Sequence, residues 1–131
     1  ARGTFLTLQH AAPRIRDGGR IITISTIGTT WPSPGEAIYA ASKAVVEQLT
    51  RVASRELGRR GITANTISPG PTNTDLLPAG AQPEPLDGAA AMTALGRMGQ
   101  PTDIADLVAL LAHPDNRWIT GQNIRADGGL T

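Results

Sequence analysis

Three short strand-like runs, the first two rich in β-branched residues, alternate with segments of helical periodicity, and that alternation restricts the chain more than any other feature. The runs are Arg20 to Thr26 (RIITIST), Ile62 to Ser68 (ITANTIS) and Gln122 to Ala126 (QNIRA). The first two read as strands buried in a sheet. Thr4 to Arg16 reads as a helix blemished by Pro13 and closed by Asp17-Gly18-Gly19. Glu36 to Arg60 is the strongest helix, with an apolar stripe through Ile38, Ala41, Val45, Leu49, Val52 and Leu57. It carries i,i+4 pairs Glu47–Arg51 and Glu56–Arg60, and Gly61 serves as its C-cap. Pro101 to Ala112 reads as a third helix, facing inward through Ile104, Leu107, Val108 and Leu111. Helix and strand in strict alternation is the pattern of βαβ units on a parallel sheet, an α/β fold of about three strands and three to four helices. Residues 1–131 form one domain on this reading, and ligands belong beyond the carboxyl ends of the strands. Those ends deliver Ser25-Thr26, Pro69-Gly70 and Asp127-Gly128.

Composition removes several function classes. No cysteine is present, which excludes disulfides, thiolate metal sites and cysteine nucleophiles. His10 and His113 have no partners at ligand spacing, so no metal site is expected. The net charge of +1 and the scattered arginines give no footprint for nucleic acid or an anionic membrane. No apolar run approaches the ~18 residues of a membrane span, and a soluble, cytoplasmic protein is expected. The chain opens on Ala1 without a Met, as a piece of something longer would.

Tyr39 and Lys43 lie four residues apart near the start of the strongest helix, so their side chains share a face. An ammonium beside a phenol favours the phenolate, which suits a group that gives a proton to a carbonyl oxygen or takes one from an alcohol. Thr26, thirteen residues earlier at a strand end, offers a hydroxyl to the same oxygen. Alone, the Tyr-Lys pair is weak evidence, since chance and surface pairing produce many such spacings. Around it stand Gly19-Arg20-Ile21-Ile22, Tyr39-Ala40-Ala41-Ser42-Lys43, Gly61-Ile62-Thr63-Ala64-Asn65 and Ser68-Pro69-Gly70-Pro71. Gly96-Arg97-Met98-Gly99-Gln100-Pro101, Thr120-Gly121-Gln122 and Asp127-Gly128-Gly129 follow in order.

With these motifs the sequence resembles the short-chain dehydrogenase/reductase family, particularly its 3-oxoacyl-reductase-like branch, essentially from end to end. The resemblance implies the carboxyl-terminal half of a Rossmann-like three-layer fold and an NAD(P)-dependent oxidoreductase. Such an enzyme moves a hydride between NAD or NADP and a carbonyl or secondary alcohol. It implies Tyr39 as general acid/base, and Lys43 as the holder of the nicotinamide ribose and the group that tunes the phenol. Thr26 falls at the catalytic serine position, with Ser25 in reserve. Pro69, Gly70, Thr72 and Thr74 would meet the nicotinamide. A homo-oligomer, dimer or tetramer, is implied through the helices at 4–16 and 36–60 and through the last helix and strand. Residues 75–95 would form a substrate lid, with Leu76, Leu77, Leu86 and Met92 lining it or packing it down. Two departures stand out: the family's catalytic asparagine falls ahead of Ala1, and no glycine-rich phosphate turn occurs in the sequence. The competing reading is a catalytically silent fragment with at most an assembly role. Asn65 and Asp127-Gly128-Gly129 are expected to be structural. Trp118 is expected to pack near the last strand, and Trp31 to flank the opening or anchor its loop.

Overall fold

The computed structural model describes residues 1–74 and 83–131, side chains 83–87 excepted; Leu76, Leu77 and the Leu86 side chain therefore lie outside the description. In chain order the elements are α1 (Arg2–Ala11), β1 (Arg20–Ile24), α2 (Ala37–Leu57), β2 (Thr63–Pro69), α3 (Pro83–Met92), α4 (Pro101–Ala112) and β3 (Asn123–Ala126). The strands form a parallel sheet in the order β1-β2-β3, with Thr23 opposite Thr66 and Ile67 opposite Ile124. The α/β alternation is therefore correct. No described helix is long and apolar enough to cross a membrane.

Local chemistry explains the boundaries. Helix α1 stops at Ala11 rather than Arg16, because Pro13 has no N–H with which to continue the ladder. Helix α2 tightens into a 3-10 turn at Gly58–Arg60 and ends on Gly61 at φ 69°, a left-handed cap suited to glycine. Helix α4 starts on Pro101, and the Gln100 amide donates to the Asp103 carboxylate at 2.7 Å. Helix α3 lies in a stretch whose weak periodicity gave no sign of it.

The buried side of α2 matches the stripe its hydrophobicity suggests only at Leu57. Ile38 is 86% exposed and Val52 is 51% exposed, while Val46, Thr50, Ala53, Ser54 and Leu57 are buried. The sheet face beneath offers hydroxyls, and these want hydroxyl partners once out of water. Thr23 Oγ1 lies 2.8 Å from Thr50 Oγ1 and 2.9 Å from Thr66 Oγ1, and Thr50 donates to the Val46 carbonyl. Further along, Ala53, Leu57, Ile62 and Ala64 close an aliphatic cluster with Ile15 and Ile21 packed against it. Neither expected helix pair forms: Glu47 turns inward, and Arg60 binds Asp17 at 2.7 Å and the carbonyls of Ala12 and Ile15. Strand β2 is buried along nearly its whole length, as expected. Strand β1 is only half-buried, a correction with a plain cause, since it is an edge strand paired on one side.

Candidate active site

The parallel sheet brings its carboxyl ends to one edge. Ser25, just past β1, donates its amide to the Ile67 carbonyl at 2.8 Å, and Gly70, just past β2, donates to the Ala126 carbonyl at 3.0 Å. These bonds carry the sheet pairing one step beyond the strands, so the ends stay in register. The amino-terminal part of α2 comes up beside them. A cavity of about 470 Å³ opens there, lined by Ser25, Thr26, Tyr39, Lys43, Pro69 and Gly70, with Thr72 and Thr74 from the following segment. All eight of the expected site residues thus meet in one place. Ile24, Pro101 and Ile104 complete an apolar wall.

Within the cavity the polar groups differ in what they have left to offer. Tyr39 is 48% exposed, so its phenol is open to a ligand. Lys43 Nζ lies 5.9 Å from the centroid of that ring, close enough for cation–π attraction, and donates to the Ile24 carbonyl at 3.2 Å. An ammonium has three donors, so two remain for a ligand. Thr26 Oγ1 accepts from the Gly28 amide at 3.3 Å, which anchors the oxygen while its own hydrogen stays available to donate. Ser25 differs: only 3% exposed, it gives its hydrogen to Glu47 Oε1 at 2.6 Å, with Lys43 O a second, longer neighbour at 3.3 Å. Its hydroxyl is committed to the protein, which disfavours it as the substitute for Thr26. Lys43 is the only charged side chain among the described residues lining the cavity.

Nicotinamide joined to ribose fits these residues. It asks for a cation and hydroxyl donors beside an apolar wall, and a space of this size sits within the roughly 300–1,000 Å³ of small-ligand pockets. The given sequence carries no glycine-rich turn of the kind that cradles a pyrophosphate.

Elsewhere the end of β3 goes to a separate cavity of about 150 Å³. Asp127 and Gly128 line it with Arg97 and Asp103. Burial pushes the Asp127 carboxyl up, but bonds from the Gly129 amide, the Thr131 hydroxyl and amide and the Leu130 amide outweigh it and hold it below its ordinary value. Asp103 is held at about 2 by the Arg97 guanidinium and the Gln100 amide. Asn65 is structural, bonded to the Ile119 carbonyl and the Gln122 amide. Trp118, expected to pack, is 95% exposed, and Trp31 is half exposed in its loop. Glu47 is what sequence reasoning missed, having been assigned to Arg51. The signal was its place one turn beyond Lys43 on the stripe that starts at Tyr39.

Comparison with known proteins agrees on one family. The family described as enoyl-(acyl carrier protein) reductase matches residues 1–131. The chain is 41% identical to the hydroxynaphthalene reductase-like protein Arp2 of Metarhizium brunneum, over 98% of this chain and 53% of that protein. Among solved structures, a blue fluorescent protein from a metagenomic library in complex with NADPH superposes with TM-score 0.91 at 40% identity, over 100% of this chain and 53% of that one. The angucycline C-6 ketoreductase LanV with bound NADP also gives 0.91, at 39% identity over 99% and 50%. The chain therefore spans about half the length of the relatives it matches.

Proposed function

The chain belongs to the short-chain dehydrogenase/reductase family, and on that premise we propose that the protein containing it is an NAD(P)-dependent oxidoreductase acting on a carbonyl or secondary alcohol. One observation carries the reading: Thr26, Tyr39 and Lys43 face a single cavity at the carboxyl edge of a parallel sheet, together with the segment from Pro69 to Thr74. The cofactor, when bound, supplies the hydride that goes to the carbonyl carbon. Tyr39 donates its phenolic proton to the carbonyl oxygen, leaving an alcohol and a phenolate; oxidation runs the same transfer backwards. Thr26 donates a hydrogen bond to that oxygen and fixes its direction, a task for which its anchored hydroxyl is suited and the committed Ser25 is not. Lys43 keeps positive charge beside the phenol and turns its spare donors to the ribose hydroxyls. Thr72 offers its backbone to the nicotinamide carboxamide, and Thr74 offers its hydroxyl to the carboxamide or a phosphate. NADP is favoured over NAD by the cofactors of the two structural relatives.

The test is Tyr39→Phe in the full-length protein, with NADPH as reductant and ethyl acetoacetate and acetophenone as probes. Losing a general acid costs on the order of 100- to 10,000-fold in turnover, while NADPH affinity stays close to wild type. Full activity in that variant refutes the proton-transfer role.

Residues 75–95 are read as the substrate lid, a reading supported by the exposure of Met92 and Leu95, apolar side chains left open to an apolar ligand. The outer face of α1 and α2 suits pairing between copies, because Phe5 and Val52 stand about half exposed along an apolar groove. A cytoplasmic location is consistent with the absence of cysteine.

A further inference from the structure

We propose that Glu47 is a positioning residue, which sets where the Thr26 hydroxyl stands relative to the Tyr39 phenol by gripping Ser25. The proposal deepens the reading of this cavity as a carbonyl-reducing site and rests on it. Tyr39, Lys43 and Glu47 follow one another at four-residue steps along α2 and so lie on one stripe facing the end of β1. Lys43 ties that end to the helix through the Ile24 carbonyl at 3.2 Å, and Glu47 ties the next residue through the Ser25 hydroxyl at 2.6 Å. The second distance falls in the range of charge-assisted O–H···O⁻ bonds, the stronger kind. From the other side, the Ser25 amide is held by Ile67 of β2 at 2.8 Å. Ser25 is thus clamped between sheet and helix at the point where β1 has ended and ladder pairing stops.

Thr26 is the very next residue. It takes an extended conformation and then feeds the 3-10 turn at Ile27–Thr29, so a displacement of Ser25 passes directly to the hydroxyl that faces the substrate. Glu47 has no cationic partner within 4.0 Å among the described residues, so its inward carboxylate is not there for an ion pair. Stability alone does not call for an acid here, since an apolar pair of the same shape fills such a place without leaving anything unsatisfied. The tie makes sense where a reacting hydroxyl must be held in place, because an error of about 1 Å can cost on the order of 100-fold in rate.

The experiment uses the full-length protein and the same two ketones. Glu47→Ala is expected to lower kcat by about tenfold or more, with KM for the ketone and Kd for NADPH little changed. Glu47→Gln keeps an acceptor oxygen for Ser25 and is expected to recover most of the loss, which a need for charge does not explain; Ser25→Ala, which leaves the Glu47 side chain in place, separates the tie from a need for bulk. Ser25→Ala should lose as much as Glu47→Ala, and the double variant no more than either, because both cut the same tie. Wild-type kcat in Ser25→Ala or Glu47→Ala, additive losses in the double variant, or Glu47→Gln as impaired as Glu47→Ala overturns the proposal alone. If Glu47→Ala does not fold, Ser25→Ala and Glu47→Gln decide it. A wild-type protein that binds NADPH and reduces neither ketone, with Tyr39→Phe indistinguishable from it, overturns the functional reading and this inference together.

Discussion

Replacing Gly70 by alanine tests how closely β2 and β3 approach at the lip of the site. A Cβ at Gly70 would stand 2.7 Å from Asp127 Cα, 2.8 Å from its Cβ and 3.2 Å from its carbonyl oxygen. Non-bonded carbons sit comfortably at ~3.5–4.0 Å, so the strand ends would have to part by roughly 1 Å. Asp127 is poorly placed to yield, since its carboxylate accepts from the Gly129 amide at 3.0 Å, the Thr131 amide at 3.2 Å and the Thr131 hydroxyl at 2.9 Å. Overpacking of this kind costs about 1–3 kcal/mol. Stretching the Gly70–Ala126 bond adds about 0.5–1.5 kcal/mol. The stiffer unfolded chain returns about 0.4–1 kcal/mol. The net is about 0.5–4 kcal/mol of destabilisation, centred slightly above 2 kcal/mol, and at that centre a drop of roughly 5–10 °C in Tm for a domain of this size or somewhat larger. Thermal unfolding of the full-length protein by circular dichroism measures it. Gly3→Ala is the control, because nothing lies within 4 Å of a Cβ there and its Tm should hold or rise slightly. A Gly70→Ala protein that melts within about a degree of wild type refutes the close approach and, with it, the account of how the lip is held.

Thr26→Ala should lower kcat by roughly 100-fold, as removal of one oxyanion donor does, whereas Thr26→Ser keeps the hydroxyl and most of the rate. Steady-state kinetics with either ketone decide this. Thr23→Val removes the hydroxyl that meets both Thr50 and Thr66, strands the Thr66 hydroxyl in a buried layer, and should cost about 1–3 kcal/mol in denaturant titration. Asp103, lowered from 3.8 to about 2 by Arg97 and the Gln100 amide, stabilises the fold fully above its unfolded pKa and loses that contribution as pH falls through about 2. The Tm gap between wild type and Asp103→Asn should therefore be constant at neutral pH and shrink from about pH 4 to about pH 2; a gap independent of pH counts against the ion pair.

Sequence periodicity alone determined the order of strands and helices apart from α3, because a run such as RIITIST has few other stable solutions and Pro13, Gly61 and Pro101 punctuate the chain through their own backbone chemistry. The Tyr39-to-Lys43 spacing was equally legible, since a helix fixes which residues share a face. Tertiary structure decided which face of α2 goes inward: the stripe carrying Thr50 and Ser54 won over the one carrying Ile38 and Val52, because the sheet beneath presents Thr23 and Thr66. It also decided that Glu47 serves Ser25 rather than Arg51, and that Thr26 rather than Ser25 keeps a hydrogen to give. Such choices depend on partners distant in the chain. A side chain's local pattern shows where it can point, and only the packed neighbours decide which of those directions satisfies its polar groups.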